Sequence, residues 1–168
     1  MGVSGIFHED DRVELLDGDI VEMSPLGSRH VRSVNCLNML LAPALVGRAI
    51  VQVQSSLRLD AYWEPQPDIA ILRRREDDYV SGLPTGADVL LLIEVVDSSR
   101  AYDRVKLPAY ARSGIPEVWF VDLQDQVLLS HRQPSGVEYR IVQRFRIGDT
   151  ITPEAFPDIT WSLVAIVG

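Results

Sequence analysis

Several things are scarce in this 168-residue chain, and each absence removes a class of function. There is one cysteine, Cys36, so neither an intramolecular disulfide nor a cysteine metal cluster can form. That thiol is expected to fill core space in a reducing cytoplasm. No stretch of about 18 apolar residues occurs, so no membrane-spanning helix and no membrane partner are expected. Positive charge is short: 16 Lys and Arg stand against 24 Asp and Glu, a formal net charge of −8. General nucleic-acid binders carry a basic surplus, because neutralising phosphates dominates their affinity. Any such role here must rest on a local basic stripe, on bridging metal ions or on a partner. Internal repeats and low-complexity linkers are missing too. The first eleven residues lack a basic-then-apolar secretory leader, and Ile6 stands where a myristoylation signal needs Ser or Thr. What remains, 46% hydrophobic, is enough for one core, so residues 1–168 are expected to form a single domain.

The most informative stretch is Asp88 to Asp97, an apolar run with Glu94 set inside it. A continuous run of this kind reads as a strand buried on both faces. An ionised carboxylate there is costly unless something positive or hydrogen-bonding meets it. Upstream, Pro67-Asp68 opens a short strand from Ile69 to Leu72; downstream, Lys106 falls on an expected helix. If the two strands pair antiparallel through the loop 73–86, the start of one meets the end of the other, and Asp68 and Glu94 converge. Two acids are enough for Mg²⁺, which keeps waters and substrate phosphate oxygens in its shell, with Mn²⁺ as a substitute. The backbone carbonyl of Val95 could complete the protein's share. Lys106 could hold an attacking water or offset charge on a pentavalent phosphate. Tyr110, one turn on, shares its helix face.

Around these strands, Asp17-Gly18 between β-prone runs predicts a hairpin over Arg12–Ser24. Ser28 is a candidate N-cap for a helix from Arg29, with Val31, Val34, Leu37, Leu41 and Leu45 as its apolar stripe and Pro43 kinking or ending it. Ala49–Leu59 alternates as a strand. Ala101–Ser113 should be helical, with Asp97, Ser98, Ser99 and Arg100 as starting residues. Pro108 inside that span implies a kink or a late start capped by Asp103, and Gly114 implies a stop. Glu117–Asp122 is another buried strand, reached by a crossover. Gln126–Gln133, Val137–Phe145 and Thr150-Ile151 read as an antiparallel meander, and Trp161–Val167 as an apolar tail packed on the core. The expected fold is mixed α+β or α/β: a central mixed sheet with an N-terminal hairpin and helix, one crossover helix and a β-rich end.

Leu15 to Pro25 (LLDGDIVEMSP), then His30, then Gln66-Pro67-Asp68, then Ile93 to Asp122 resemble, in that order, the Uma2 family. This family, formerly a domain of unknown function, is placed within the PD-(D/E)XK nuclease superfamily. The likeness runs from about Val13 to Asp122 and weakens in the β-rich end. It implies a restriction-endonuclease-like core, a divalent metal, and Asp68 and Glu94 as its ligands. The sequence departs from the superfamily's motif two places after Glu94, where Val96 replaces lysine; the family pattern passes that role to Lys106. Glu22 and His30 also match family positions and would border the site.

Each choice has a plainer reading. Pro-Asp is common in turns, Glu94 and Lys106 could form a structural salt bridge, and Tyr110 could be core. Glu22 and His30 could be surface residues. Trp63 could touch a ligand, whereas Trp119 and Trp161 read as core. The run Arg73-Arg74-Arg75 is balanced by Glu76-Asp77-Asp78 and reads as a solvated loop. The leading functional expectation is a metal-dependent endodeoxyribonuclease acting as a homodimer. Its rival is an inactive interaction or regulatory module on the same fold. A metal-free glycoside hydrolase using two carboxylates ranks third, because a lysine is at hand and no aromatic sugar platform is evident.

Overall fold

The computed structural model describes residues 12–23, 25–97 and 101–167. The readings made above for 1–11, Ser24, Ser98, Ser99 and Arg100, and for the side chain of Asp103, lie outside the described residues. Strands β1 (Val13–Leu16) and β2 (Asp19–Glu22) form the expected hairpin. Its turn places Asp17 and Gly18 at φ 55° and 85°, the paired positive values that a tight two-residue hairpin turn requires. Helix α1 (Ser28–Leu45) starts one residue early: Gly27 is the N-cap, and Ser28 is already helical and makes no side-chain cap. Val34, Leu37, Leu41 and Leu45 are buried, but Val31, expected on the same stripe, is exposed. Pro43 lies inside the last turn, two residues before the helix ends. Cys36 is only half-buried, so it does not fill the core as expected.

The central sheet follows. In spatial order its six strands are β3 (Ala49–Val53), β4 (Ile69–Arg73), β5 (Val89–Val96), β6 (Glu117–Asp122), β7 (Val127–Ser135) and β8 (Glu138–Arg146). All neighbours are antiparallel except β5 and β6, which are parallel and therefore need the crossover helix α2 (Ala101–Arg112) between them. The strand expected over Ala49–Leu59 stops at Val53, because Gln54 turns to φ 45° and the chain leaves the sheet. Helix α2 runs unbroken through Pro108 from Ala101, so it does not start late. It ends in a Schellman motif: Gly114, at φ 74°, donates to the Ala111 carbonyl, and Ile115 donates to the Tyr110 carbonyl.

The expected antiparallel meander holds for β7 and β8 but not for Thr150-Ile151. Strands β7 and β8 extend the central sheet, while β9 (Thr150–Ile151) pairs with β10 (Trp161–Ser162), which leads into the short α3 (Leu163–Val167). Side-chain alternation sorts the sheet into two apolar layers. One face packs Ile69, Ile71, Leu91, Ile93, Trp119 and Val121 against α1, Trp161 and α3. The other packs Ala70, Leu72, Leu92, Val118 and Phe120 against Tyr110 and Ala111 of α2. Period two therefore puts Glu94 on the α2 face, in line with Leu92. No helix among the described residues is long and apolar enough to cross a membrane.

Candidate active site

The register of β4 on β5 pairs Ile69 with Ile93, so Asp68, one residue before β4, stands beside Glu94. The two are tied reciprocally. The Asp68 amide donates to Glu94 Oε2 at 3.3 Å, and the Val95 amide donates to Asp68 Oδ2 at 2.8 Å. Each side chain's residue is only 8% exposed. Val95 buries its side chain in the α1 layer; its carbonyl, which in a strand points the same way as its N–H, lies on the Asp68 side.

Helix α2 supplies the next layer. Lys106 and Tyr110, one turn apart, both reach Glu94 Oε1, from 3.4 Å and 2.6 Å. Helix α1 supplies His30, whose Nε2 is 2.8 Å from Asp68 Oδ1. Glu22 does not join them: it is exposed on β2, opposite Val13. Two other residues do. Glu14 on β1 is 1% exposed, and its Oε1 lies 2.6 Å from Lys106 Nζ while accepting the Gln66 amide at 2.7 Å. Gln54, in its left-handed conformation, donates from its backbone to the Asp68 carbonyl and from Nε2 to Asp68 Oδ1 at 3.2 Å. Glu14 had a signal in the sequence, since alternation puts it on the same inward face of β1 as Leu16. The turn that brings Gln54 inward had none.

The electrostatics follow from burial and crowding. Glu94 is pushed up to about 7, chiefly by desolvation, with Asp68 and Glu14 adding to the rise and Lys106 and Tyr110 opposing it. Burial works against the charge of Lys106, but Glu94 and Glu14 more than reverse this, so its ammonium is held above the ordinary lysine range. Burial and the neighbouring Glu94 lift the Tyr110 phenol well above its usual value, which keeps it a donor. The hydrogen bond to Asp68 raises His30 against the effect of burial.

Among the described residues no group of three or more His, Cys, Asp and Glu is disposed as a metal cage. The donor chemistry nevertheless suits a hard divalent cation. Asp68 and Glu94 supply adjacent carboxylate oxygens, and each accepts three hydrogen bonds where an ionised carboxylate can accept about four. Three carboxyl side chains, Glu14, Asp68 and Glu94, stand around the one ammonium of Lys106. Mg²⁺ wants this combination of few protein ligands and excess negative charge.

The remaining candidates belong to packing. Trp63 is buried against Leu16 and Ala109, with the Arg112 guanidinium 5.8 Å from its ring. In the basic loop, Arg75 pairs with Asp77 and Ser81 and lies 4.3 Å over the Tyr79 ring, the self-balanced arrangement expected of a solvated turn.

A search of curated proteins found no match. Among solved structures, the fold is similar to a crystal structure from Anabaena variabilis ATCC 29413, described as a putative nuclease belonging to DUF820. The two share 15% identity at a TM-score of 0.72, over 92% of this chain and 89% of that one. The profile of the Uma2 family, described as "Putative restriction endonuclease", matches residues 4–165. The chain therefore belongs to the Uma2 family.

Proposed function

We propose that the protein is a metal-dependent endonuclease that hydrolyses nucleic-acid phosphodiester bonds, with DNA as the substrate, on a PD-(D/E)XK-type site. The observation that carries this reading is the meeting of Asp68 and Glu94 at the β4–β5 junction, both nearly buried, with Lys106 alongside. Asp68 and Glu94 would hold Mg²⁺ or Mn²⁺, with the Val95 carbonyl on the adjoining edge. A divalent cation at such a site lowers the pKa of a coordinated water and screens charge on the phosphate under attack.

The chain's own residues would do the rest. Tyr110 fixes one oxygen of Glu94, with Lys106 farther off at 3.4 Å, while the Asp68 amide fixes the other, so the carboxylate is oriented before any ligand arrives. His30 and Gln54 hold Asp68 in the same way from the opposite side. Lys106, kept protonated, would stabilise negative charge building on the phosphate oxygens. Its position on α2, twelve residues after Glu94, would replace the lysine that Val96 displaces from the motif. A cation held by Asp68 and Glu94 would also offset part of the net charge of −8 toward a phosphate backbone. Two such sites in a homodimer would serve the two strands of a duplex.

The test is direct. Mn²⁺ should raise the melting temperature of the wild type but not of Asp68→Ala or Glu94→Ala. Supercoiled plasmid should be nicked in Mn²⁺ by the wild type and not by Lys106→Ala. Failure of the wild type to bind either Mg²⁺ or Mn²⁺ would favour an inactive interaction module on the same fold.

A further inference from the structure

The third carboxylate of the cluster has no part in the chemistry proposed above. Glu14 comes from the N-terminal hairpin, outside the sheet that carries Asp68 and Glu94, yet it is 1% exposed and holds Lys106 more closely than Glu94 does. The distances from Lys106 Nζ are 2.6 Å to Glu14 and 3.4 Å to Glu94. Charged N–H···O bonds run at about 2.7–2.9 Å, so the ammonium is engaged with Glu14 and only leans toward Glu94. Glu14 cannot follow the ammonium, because the same Oε1 accepts the Gln66 amide at 2.7 Å, two residues before Asp68.

We infer that Glu14 is a positioning residue that holds the Lys106 ammonium back from Glu94, leaving the Glu94 carboxylate available to a divalent cation. The inference rests on the metal-holding role proposed for Asp68 and Glu94. Its physical basis is competition. A lysine in full contact with Glu94 would neutralise the charge a cation needs and occupy its oxygen. A lysine with no second carboxylate would settle there, because a buried ammonium takes whatever counter-charge is nearest. Glu14 resolves this by offering the better partner, and the hairpin thereby becomes part of the active centre.

Glu14→Gln keeps the shape and an oxygen for the Gln66 amide while removing the charge. By calorimetric titration with Mn²⁺, this variant should bind about tenfold more weakly than the wild type, the scale usual for residues that orient a ligand. In a Lys106→Met background the same substitution should change affinity by less than about twofold, since no ammonium remains to be restrained. An equal loss in both backgrounds would mean that Glu14 acts only through the backbone at Gln66, and would overturn the inference. Should the wild type take up no Mn²⁺ at all, the proposed function fails, and the crystal structure of Glu14→Gln decides this point alone. Nζ moved to about 2.8 Å from Glu94 supports the inference, and Nζ unmoved overturns it.

Discussion

Two buried charged clusters sit on opposite faces of one sheet, and they are built on opposite rules. On the α1 face, Glu117 is 0% exposed and saturated. It accepts from Trp119 Nε1 at 2.6 Å, Ser130 Oγ at 3.2 Å, Arg132 Nε at 2.8 Å and the Glu154 amide at 2.7 Å. Arg132 in turn donates to the Thr152 carbonyl at 2.6 Å, so one carboxylate and one guanidinium pin the segment after β9 to the sheet. On the α2 face, three carboxylates share one ammonium and a histidine, and burial, with Asp68 and Glu14 adding to it, pushes Glu94 up to about 7. A balanced, saturated buried pair holds a fold together; an over-acidic one stores a demand for positive charge. The second arrangement meets that demand with a proton on Glu94 or, under the proposed function, with a cation; the first needs neither.

The comparison can be broken by mutation, most forcefully at Glu117. Removing it leaves buried Trp119 Nε1 and Ser130 without their acceptor and a partly exposed Arg132 without its counter-charge, so Glu117→Ala should lose about 3 kcal/mol in urea unfolding. Mn²⁺ uptake by the fraction still folded should persist; its loss together with the fold's integrity would erase the distinction. Glu94→Gln should do the reverse, abolishing the Mn²⁺-dependent rise in melting temperature at little cost to the metal-free protein. A pH series sharpens this further. The Glu94 carboxyl stays protonated in the folded chain up to about 7, whereas in the unfolded chain it ionises above 4.5, so unfolding in that window releases a proton. The contribution of this raised group is therefore full below 4.5 and fades as pH rises toward 7. Relative to Glu94→Gln, the wild type should lose stability across that range, and its Mn²⁺ affinity should climb over the same range. The smallest effect concerns Gln54, held at φ 45°. Gln54→Gly should relieve about 1 kcal/mol of strain in thermal unfolding while weakening Mn²⁺ binding, opposite signs that a purely structural residue would not give.

Much of this arrangement was legible in the chain. The apolar run around Glu94 announced a central strand, Asp17-Gly18 a hairpin and Gly114 a helix end, because each rests on local chemistry. Antiparallel pairing through the 73–86 loop then fixed which acids could meet. What was not legible depended on long-range placement. Glu14 carried the right alternation, but only the docking of the hairpin under α2 shows that its inward face meets Lys106. Glu22, favoured by likeness, points outward on the neighbouring strand. Gln54 reads as one more polar residue of an alternating strand until its backbone turns out of the sheet. The extension of the sheet by β7 and β8 was hidden for the same reason, since pairing partners are not written into a strand's own sequence.

The most direct measurement is a crystal structure of the protein soaked in Mn²⁺, recorded at the manganese absorption edge. One anomalous peak should lie between the carboxyl groups of Asp68 and Glu94 and vanish in Asp68→Ala. A peak elsewhere, or no peak with both carboxylates still bound to protein donors alone, would contradict the account.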